Sequence, residues 1–320
     1  MKGIDLRHAV RGPAIAGVLV AGLSLQIGAF GESGHRVTGR IAELHLTGSR
    51  ALQEVRNILR PQETLADAAL WADTIKAVTY EDEDTGPFRL EHPSHEVYHY
   101  TDLPFQADRY DPDAPGAHFT DVVRMTGECI RVLKGTSRVF TKREALRLLA
   151  HYVGDMHQPL HIGTAYVSAT EPLRFVVPQG PTGWHMALGG NALRYGPDDN
   201  FNLHAYWDSR AVSLAMGTDD VAAYSSRLVK EVPIVPSWNA DGDVESWPVQ
   251  WATEALVHAK ELHKDVRLVA YLGPDPERRT AHRWRIELPP GYDAAASART
   301  RTQLAKAGYR LAATLKAIWP

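Results

Sequence analysis

His151-Tyr-Val-Gly-Asp155-Met-His157-Gln-Pro-Leu-His161 closes a run, Lys142 to His157, in which apolar residues recur three and four apart, the period of one face of a helix. On that helix His151 and Asp155 stand four apart and project from one side, where an imidazole nitrogen and a carboxylate oxygen can meet a single ion. Pro159 interrupts the pattern, so His161 falls beyond the helix end and aims at a different point in space. The same period marks Arg36 to Leu46, Ala51 to Leu59, Phe119 to Leu133, Trp251 to His263 and Thr300 to Ile318, whereas convincing alternating strands are scarce. This patterning predicts an all-α fold, one helical domain over residues 30–320 with long loops. Tyr80 to Pro93 is acidic and polar. Gly163 to Gly190 is rich in Gly, Pro and Thr, with a short apolar run at Leu173 to Val177 that reads as a small β-hairpin. Pro274 to Asp293 reads as a further connection.

The 320 residues are 44% hydrophobic and 23% charged, ordinary globular composition with enough apolar material for a sizeable core. Residues 1–29 differ from the rest. Lys2, Arg7 and Arg11 form a basic start, and Ala14 to Ile27 is apolar and nearly uncharged, the pattern of a secretory signal peptide. The run falls short of the ~20 apolar residues that a membrane span requires. Cleavage after Ala29 is expected, leaving a mature chain that starts at Phe30, and removal of three basic residues makes that chain mildly acidic. This balance weakens any reading in which a broad basic surface grips duplex nucleic acid, because such binding draws on many phosphate contacts. Cys129 is the only cysteine, so no intramolecular disulfide is available to an exported chain, and it reads as a small buried apolar residue. Fifteen histidines make bound metal the candidate staple.

A second pair repeats the spacing at His204-Ala-Tyr-Trp-Asp208. Taken singly, such i,i+4 pairs are more often surface hydrogen bonds or ion pairs than metal sites. Three further stretches add the same chemistry: Gly31-Glu-Ser-Gly-His35 directly after the expected cleavage point, Trp71-Ala-Asp73 at the end of a helical segment, and His99-Tyr-Thr-Asp102 at the end of an aromatic run.

Together these stretches resemble the zinc-dependent single-strand-specific nucleases of moulds, plants and bacteria, a family that shares its fold and metal cluster with bacterial zinc phospholipase C. The resemblance runs through nearly all of the mature chain: Gly-x-x-Gly-His at 31–35, Trp-Ala-Asp at 71–73, His-Tyr-Thr-Asp-Leu-Pro at 99–104, the stretch at 151–161, Gly-Gly-Asn at 189–191, Asn-Leu-His-x-x-x-Asp at 202–208, and a closing helix at 303–312 like that of bacterial members. It implies three Zn2+ ions per chain. One would be held by Asp73, His99, His151 and Asp155. A close neighbour would take Asp155 as a bridge, His35, and the amino nitrogen and carbonyl oxygen of Phe30. The third would take His161, His204 and Asp208. These sets leave coordination positions open, as a catalytic rather than a structural zinc requires.

The resemblance further implies hydrolysis of single-stranded DNA and RNA to 5′-phosphorylated products, with 3′-nucleotidase activity. Acidified water would attack phosphorus in line, oriented by Asp73. Lys76 would stand near phosphate, and Tyr100, Asp102 and Asn191 near the base. Three departures stand out. Phe30 replaces the family's usual Trp, the cysteines of fungal and plant members are missing, which points to a bacterial source, and the loop at 163–188 is longer than the plant pattern. The expected location is secreted or periplasmic, with no stable protein partner and no transmembrane segment in the mature chain. A zinc-dependent phospholipase C is the enzymatic alternative, and a non-catalytic secreted zinc-binding protein the other.

Overall fold

The computed structural model describes residues 30–276, 278 and 280–320. The signal-peptide reading of residues 1–29 lies outside the described residues. The molecule is mostly helical. α1 (Gly31–Leu46) is followed by α2 (Arg50–Ile58), whose N-cap Ser49 accepts from Leu52 N–H. α3 (Val122–Lys134) starts at Asp121, whose carboxylate accepts from the Val123 and Arg124 N–H groups, and stops at Gly135 in the left-handed conformation. α4 (Lys142–Met156) opens on a Thr141–Glu144 capping box. α5 (Val221–Glu231), α6 (Trp247–His263) and α7 (Tyr292–Ile318) complete the longer helices. α1 packs along α7 and α5, and α3 packs along α4, which also meets α7.

Every helical run expected from periodicity is a helix, with ends shifted by up to eight residues, the most at α7. α5 was not expected. Its buried residues Tyr224, Ser225 and Leu228 keep helical spacing, but alanine and serine around them hide the apolar stripe.

Strands occupy more of the loops than the pattern suggested. The expected hairpin at Leu173 to Val177 is part of a three-stranded sheet, in which β1 (Tyr166–Ser168) pairs antiparallel with both β2 (Phe175–Val176) and β3 (Trp184–Met186). A second sheet has the order β5 (Phe201–Asn202), β4 (Leu193–Tyr195), β7 (His282–Glu287) and β6 (Arg267–Pro274), with β4 parallel to β7. The stretch Pro274 to Asp293 is thus a strand and its flanking turns as well as a connection. Trp284 and Ile286 of β7 face inward while Arg285 and Glu287 face water, an alternation that marks a half-buried strand.

Apolar side chains gather in three clusters. The largest joins α2, α3, α4, α6 and α7 through residues such as Val55, Ile130, Leu149, Leu256 and Leu311. A second lies beneath the four-stranded sheet, around Leu160, Leu193, Trp207 and Trp284. The third holds Phe30, Val37, Val212, Tyr224 and Leu304. Cys129 is buried as a free thiol in the first cluster, as its sequence reading had it. Among the described residues no helix is long and apolar enough to cross a membrane.

Candidate metal centre

Five structural pieces deliver the histidines and aspartates to one place. α1 brings His35, the one-turn helix Trp71–Thr74 brings Asp73, and a 3-10 turn His95–His99 brings His99. The end of α4 and the turn Pro159–His161 bring His151, Asp155 and His161. His204 and Asp208 sit on a short helical segment, Leu203–Ala205 running into a π-type turn Tyr206–Arg210, which keeps them on one side. The segment that carries Asp73 is held against α4 through Trp71, which packs on Arg147. That buried guanidinium bonds Glu63 at 2.7 and 3.0 Å and Asp84 at 2.8 Å and lies over the Trp71 ring at 5.4 Å.

The ligand atoms form three groups, each within 4.8 Å: His35, His151 and Asp155; Asp73, His99 and His151; and His161, His204 and Asp208. The Asp155 carboxylate lies between the first two. Its Oδ1 is 3.3 Å from His35 Nε2, and its Oδ2 is 3.1 Å from His99 Nδ1 and 3.2 Å from His151 Nε2. In the third group His204 Nε2 is 3.1 Å and His161 Nε2 is 3.8 Å from Asp208. His35 and His151 stack ring on ring at 3.7 Å. Gly154 makes room for that stack: a Cβ there would stand 2.8 Å from His35 Nδ1.

The donor set fits metal. Both ring nitrogens of His35, Asp155 Oδ1, His161 Nε2 and Asp208 Oδ2 are buried without a hydrogen-bond partner, a cost of ~1–3 kcal/mol for each orphaned group unless something occupies it. The opposite ring nitrogens are already committed. His151 Nδ1 donates to the Ala69 carbonyl at 2.6 Å, His161 Nδ1 to the His99 carbonyl at 2.8 Å, and His204 Nδ1 to the Gly189 carbonyl at 2.8 Å. Each bond fixes the tautomer that leaves Nε2 with its lone pair toward the cluster, the usual arrangement behind metal-bound imidazole. Gly189 takes part through a positive φ of 58°, which turns its carbonyl to His204.

Charge is divided within the centre. Burial lowers His99, to about 3, with Lys76 adding to the effect. Burial alone would lower His161 too, but the carboxylates of Asp155 and Asp208 prevail and push it up to about 9, so a cation held at Nε2 would take the place of a proton there. Burial alone would raise Asp73, yet His151, Lys76 and His99 hold it well below the ordinary carboxylate range.

Phe30 is buried in the third apolar cluster, which accounts for an aromatic residue there, worth roughly 2–3 kcal/mol of burial. Its N–H donates to Asp208 Oδ1 at 3.1 Å and its carbonyl accepts from Gly34 N–H. A peptide nitrogen has no lone pair to offer, so here it reaches the third group as a donor.

The groups open into a cleft of about 380 Å³ lined by Asp73, Lys76, His99, His161 and His204, and beyond them by Tyr100, Asp102 and Asn191. All the residues singled out in the sequence for metal, phosphate or base thus converge on this centre or its cleft. Lys76 lies past the one-turn helix and bonds Asp73 at 2.7 Å. Tyr100 is 37% exposed. Burial pushes the Asp102 carboxyl up to about 7. Asn191 donates its amide to the Leu188 carbonyl at 3.0 Å.

Three contributors were not singled out. Gln158 donates to Asp208 Oδ1 at 2.8 Å and caps the Pro159–His161 turn through Leu160 N–H; its place inside the 151–161 stretch was the available signal. Glu96, on the His95–His99 turn, and Arg278, in a loop, line the cleft without any sequence signal.

Buried carboxylate–imidazole groups without thiolates, open to a polar cleft, define a hydrolytic metal centre. The chain belongs to the S1/P1 nuclease family, whose profile matches residues 30–320. It is 24% identical to Nuclease S1 of Aspergillus oryzae over 311 residues, covering 90% of this chain and 91% of that protein. It is 25% identical to Endonuclease 1 of Arabidopsis thaliana over 279 residues, covering 78% and 79%, and 26% identical to Endonuclease 2 of the same plant over 202 residues, covering 58% and 57%. The protein is accordingly a metal-dependent nuclease, a hydrolase of phosphodiester bonds in nucleic acid.

Proposed function

We propose that the protein is a zinc-dependent, single-strand-specific nuclease with 3′-nucleotidase activity, exported after removal of residues 1–29, and that it binds three zinc ions through the ligand sets read from the sequence. The observation that carries this reading is the gathering of orphaned His35, Asp155, His161 and Asp208 atoms into three ligand groups behind a cleft that also exposes Tyr100. Imidazole and carboxylate donors suit zinc, and the single cysteine leaves no thiolate set.

Bound zinc supplies Lewis acidity to the phosphoryl oxygens and lowers the pKa of water toward about 7. The rest falls to the chain. Asp73 accepts a hydrogen bond from the attacking water and aligns it. Lys76, with one of its three N–H donors on Asp73, offers the others to a phosphate oxygen. Tyr100 presents a ring face to one base, which requires that base to be unstacked and unpaired. Asp102 and Asn191 meet the base edge; the Asn191 amide nitrogen is engaged by Leu188, which leaves its carbonyl oxygen to accept from the base.

The test compares rates on single-stranded DNA, single-stranded RNA and duplex DNA, with phosphate release from a 3′-phosphorylated nucleotide, before chelation, after it, and after zinc is restored. Faster cleavage of both single strands, phosphate release, and recovery with zinc are expected. Equal rates on duplex, or full turnover without metal, would refute the proposal. For export, the mature protein recovered outside the cytoplasm should have a mass that starts at Phe30.

A further inference from the structure

The β6–β7 hairpin reaches the cleft. Arg278, in the connection between its strands, lines the cleft beside Tyr100 and Asp102. The backbone there is held by Arg278 N–H on Asp275 Oδ1 at 3.0 Å and by Ala281 N–H on the Arg278 carbonyl at 2.7 Å. Elsewhere on the hairpin Arg267 and Arg285 are neutralised by Glu287 and Asp199. Among the described residues the Arg278 guanidinium has no such partner.

Behind Arg278 the hairpin carries a strip of partly exposed rings. His282 of β7 and His185 of β3 lie ring to ring at 3.8 Å, tilted by 35°. Tyr271 of β6 is 47% exposed, its ring 5.7 Å from that of His282 and its hydroxyl 2.6 Å from His282 Nδ1. The strip connects back to the cleft. Trp184, next to His185, stands edge-on to Tyr166 at 5.0 Å, and the Tyr166 hydroxyl donates to the Asp102 carbonyl at 2.8 Å.

A cavity of about 380 Å³ is at the small end of ligand pockets, room for little more than one nucleotide. A strand threaded through it must continue across the rim. We propose that the β6–β7 hairpin and β3 form an accessory subsite for single-stranded nucleic acid. Arg278 takes a backbone phosphate adjacent to the scissile one, and the rings of Tyr271, His282 and His185 stack the next unpaired base. A free cation and flat rings in series are the two elements with which single strands are held without reading their sequence. This subsite rests on the nuclease reading and adds a length preference to it.

The experiment measures kcat/KM of the zinc-loaded enzyme on a homopolymeric oligodeoxynucleotide and on a dinucleotide across a salt series, with zinc content and Tm as controls. Tyr271→Ala should lower the oligonucleotide-to-dinucleotide ratio about tenfold, the loss of one base stack, while Tyr271→Phe, which keeps the ring, retains it. Arg278→Ala should lower the same ratio and flatten the log–log salt dependence for the oligonucleotide by about 0.7, one phosphate contact on a single strand; Tyr271→Ala leaves that slope alone. A ratio unchanged in both alanine variants, or losses shared equally by the two substrates, would overturn the subsite. A wild-type enzyme that cleaves neither substrate would overturn the nuclease reading beneath it.

Discussion

Asp155 shows how much one carboxylate is asked to do. It is fully buried, with one oxygen turned to His35 and the other to His99 and His151, so it stands between the first two ligand groups, which also share His151. Asp155→Asn keeps the shape and removes the charge. Zinc content should fall by two ions per chain and turnover by at least about 10²-fold, the upper range for disturbing a metal site; normal turnover with full zinc in that variant would exclude the bridge. The neighbouring Gly154 supports a steric prediction. In Gly154→Ala the new methyl group meets His35 Nδ1, whose ring cannot retreat because it is stacked on His151. Overpacking of this kind costs about 1–3 kcal/mol, so calorimetry should show a lower Tm accompanied by loss of zinc. At this scale much was legible beforehand, because side chains four apart on a helix must share a face. The role of Gln158 was not, since its contact with Asp208 joins two separate motifs.

Among the elements, α4 is tied to two neighbours through buried charge. Arg147 holds the segment that carries Asp73, and at the far end His157 Nε2 lies 3.0 Å from Arg310 of α7. Arg310 in turn bonds Glu254 of α6 at 2.7 Å, and Lys306 bonds the same carboxylate at 2.5 Å. Burial alone would raise the Glu254 carboxyl, but His258, Arg310 and Lys306 hold it well below the ordinary range. A depressed folded-state pKa contributes stability that is present above the unfolded value of 4.5 and is lost as pH falls through the folded one. Glu254→Gln should therefore cost about 3 kcal/mol at neutral pH by stranding Arg310, and the difference from the native chain should narrow below pH 4.5. Denaturant unfolding at several pH values reads this directly; a pH-independent difference would show that the pair does not contribute through its charge. None of these ties was visible in the sequence, because the partners lie far apart along it, 84 residues for Arg147 and Glu63. β7 is a different case. Its alternation was present in His282–Glu287, but the prolines and charges around it disguised the strand, and β6 alternates only between exposed and half-buried positions, with no buried residue to mark a face.

In the whole molecule the ligand groups sit where the three apolar clusters meet: His151 beside Tyr152 of the first, His161 beside Leu160 of the second, and His35 four residues before Gly39 on the helix that carries Val37 of the third. Bound metal would thus join clusters that no disulfide connects. Because ions that bind only the folded chain stabilise it by mass action, about 2.7 kcal/mol at a hundredfold excess over Kd, chelation should lower Tm as well as activity. Helical class and ligand content were legible because both are written in local spacing. The sheet that carries Arg278 to the cleft was not, because it is assembled from segments on either side of α5 and α6. The central claim, a cluster of zinc ions that performs the hydrolysis, is tested most directly by counting zinc in purified mature protein while following cleavage of single-stranded DNA through chelation and re-addition. Three zinc ions per chain, with cleavage lost and regained in step with them, is the predicted result; undiminished cleavage by metal-free protein would contradict it.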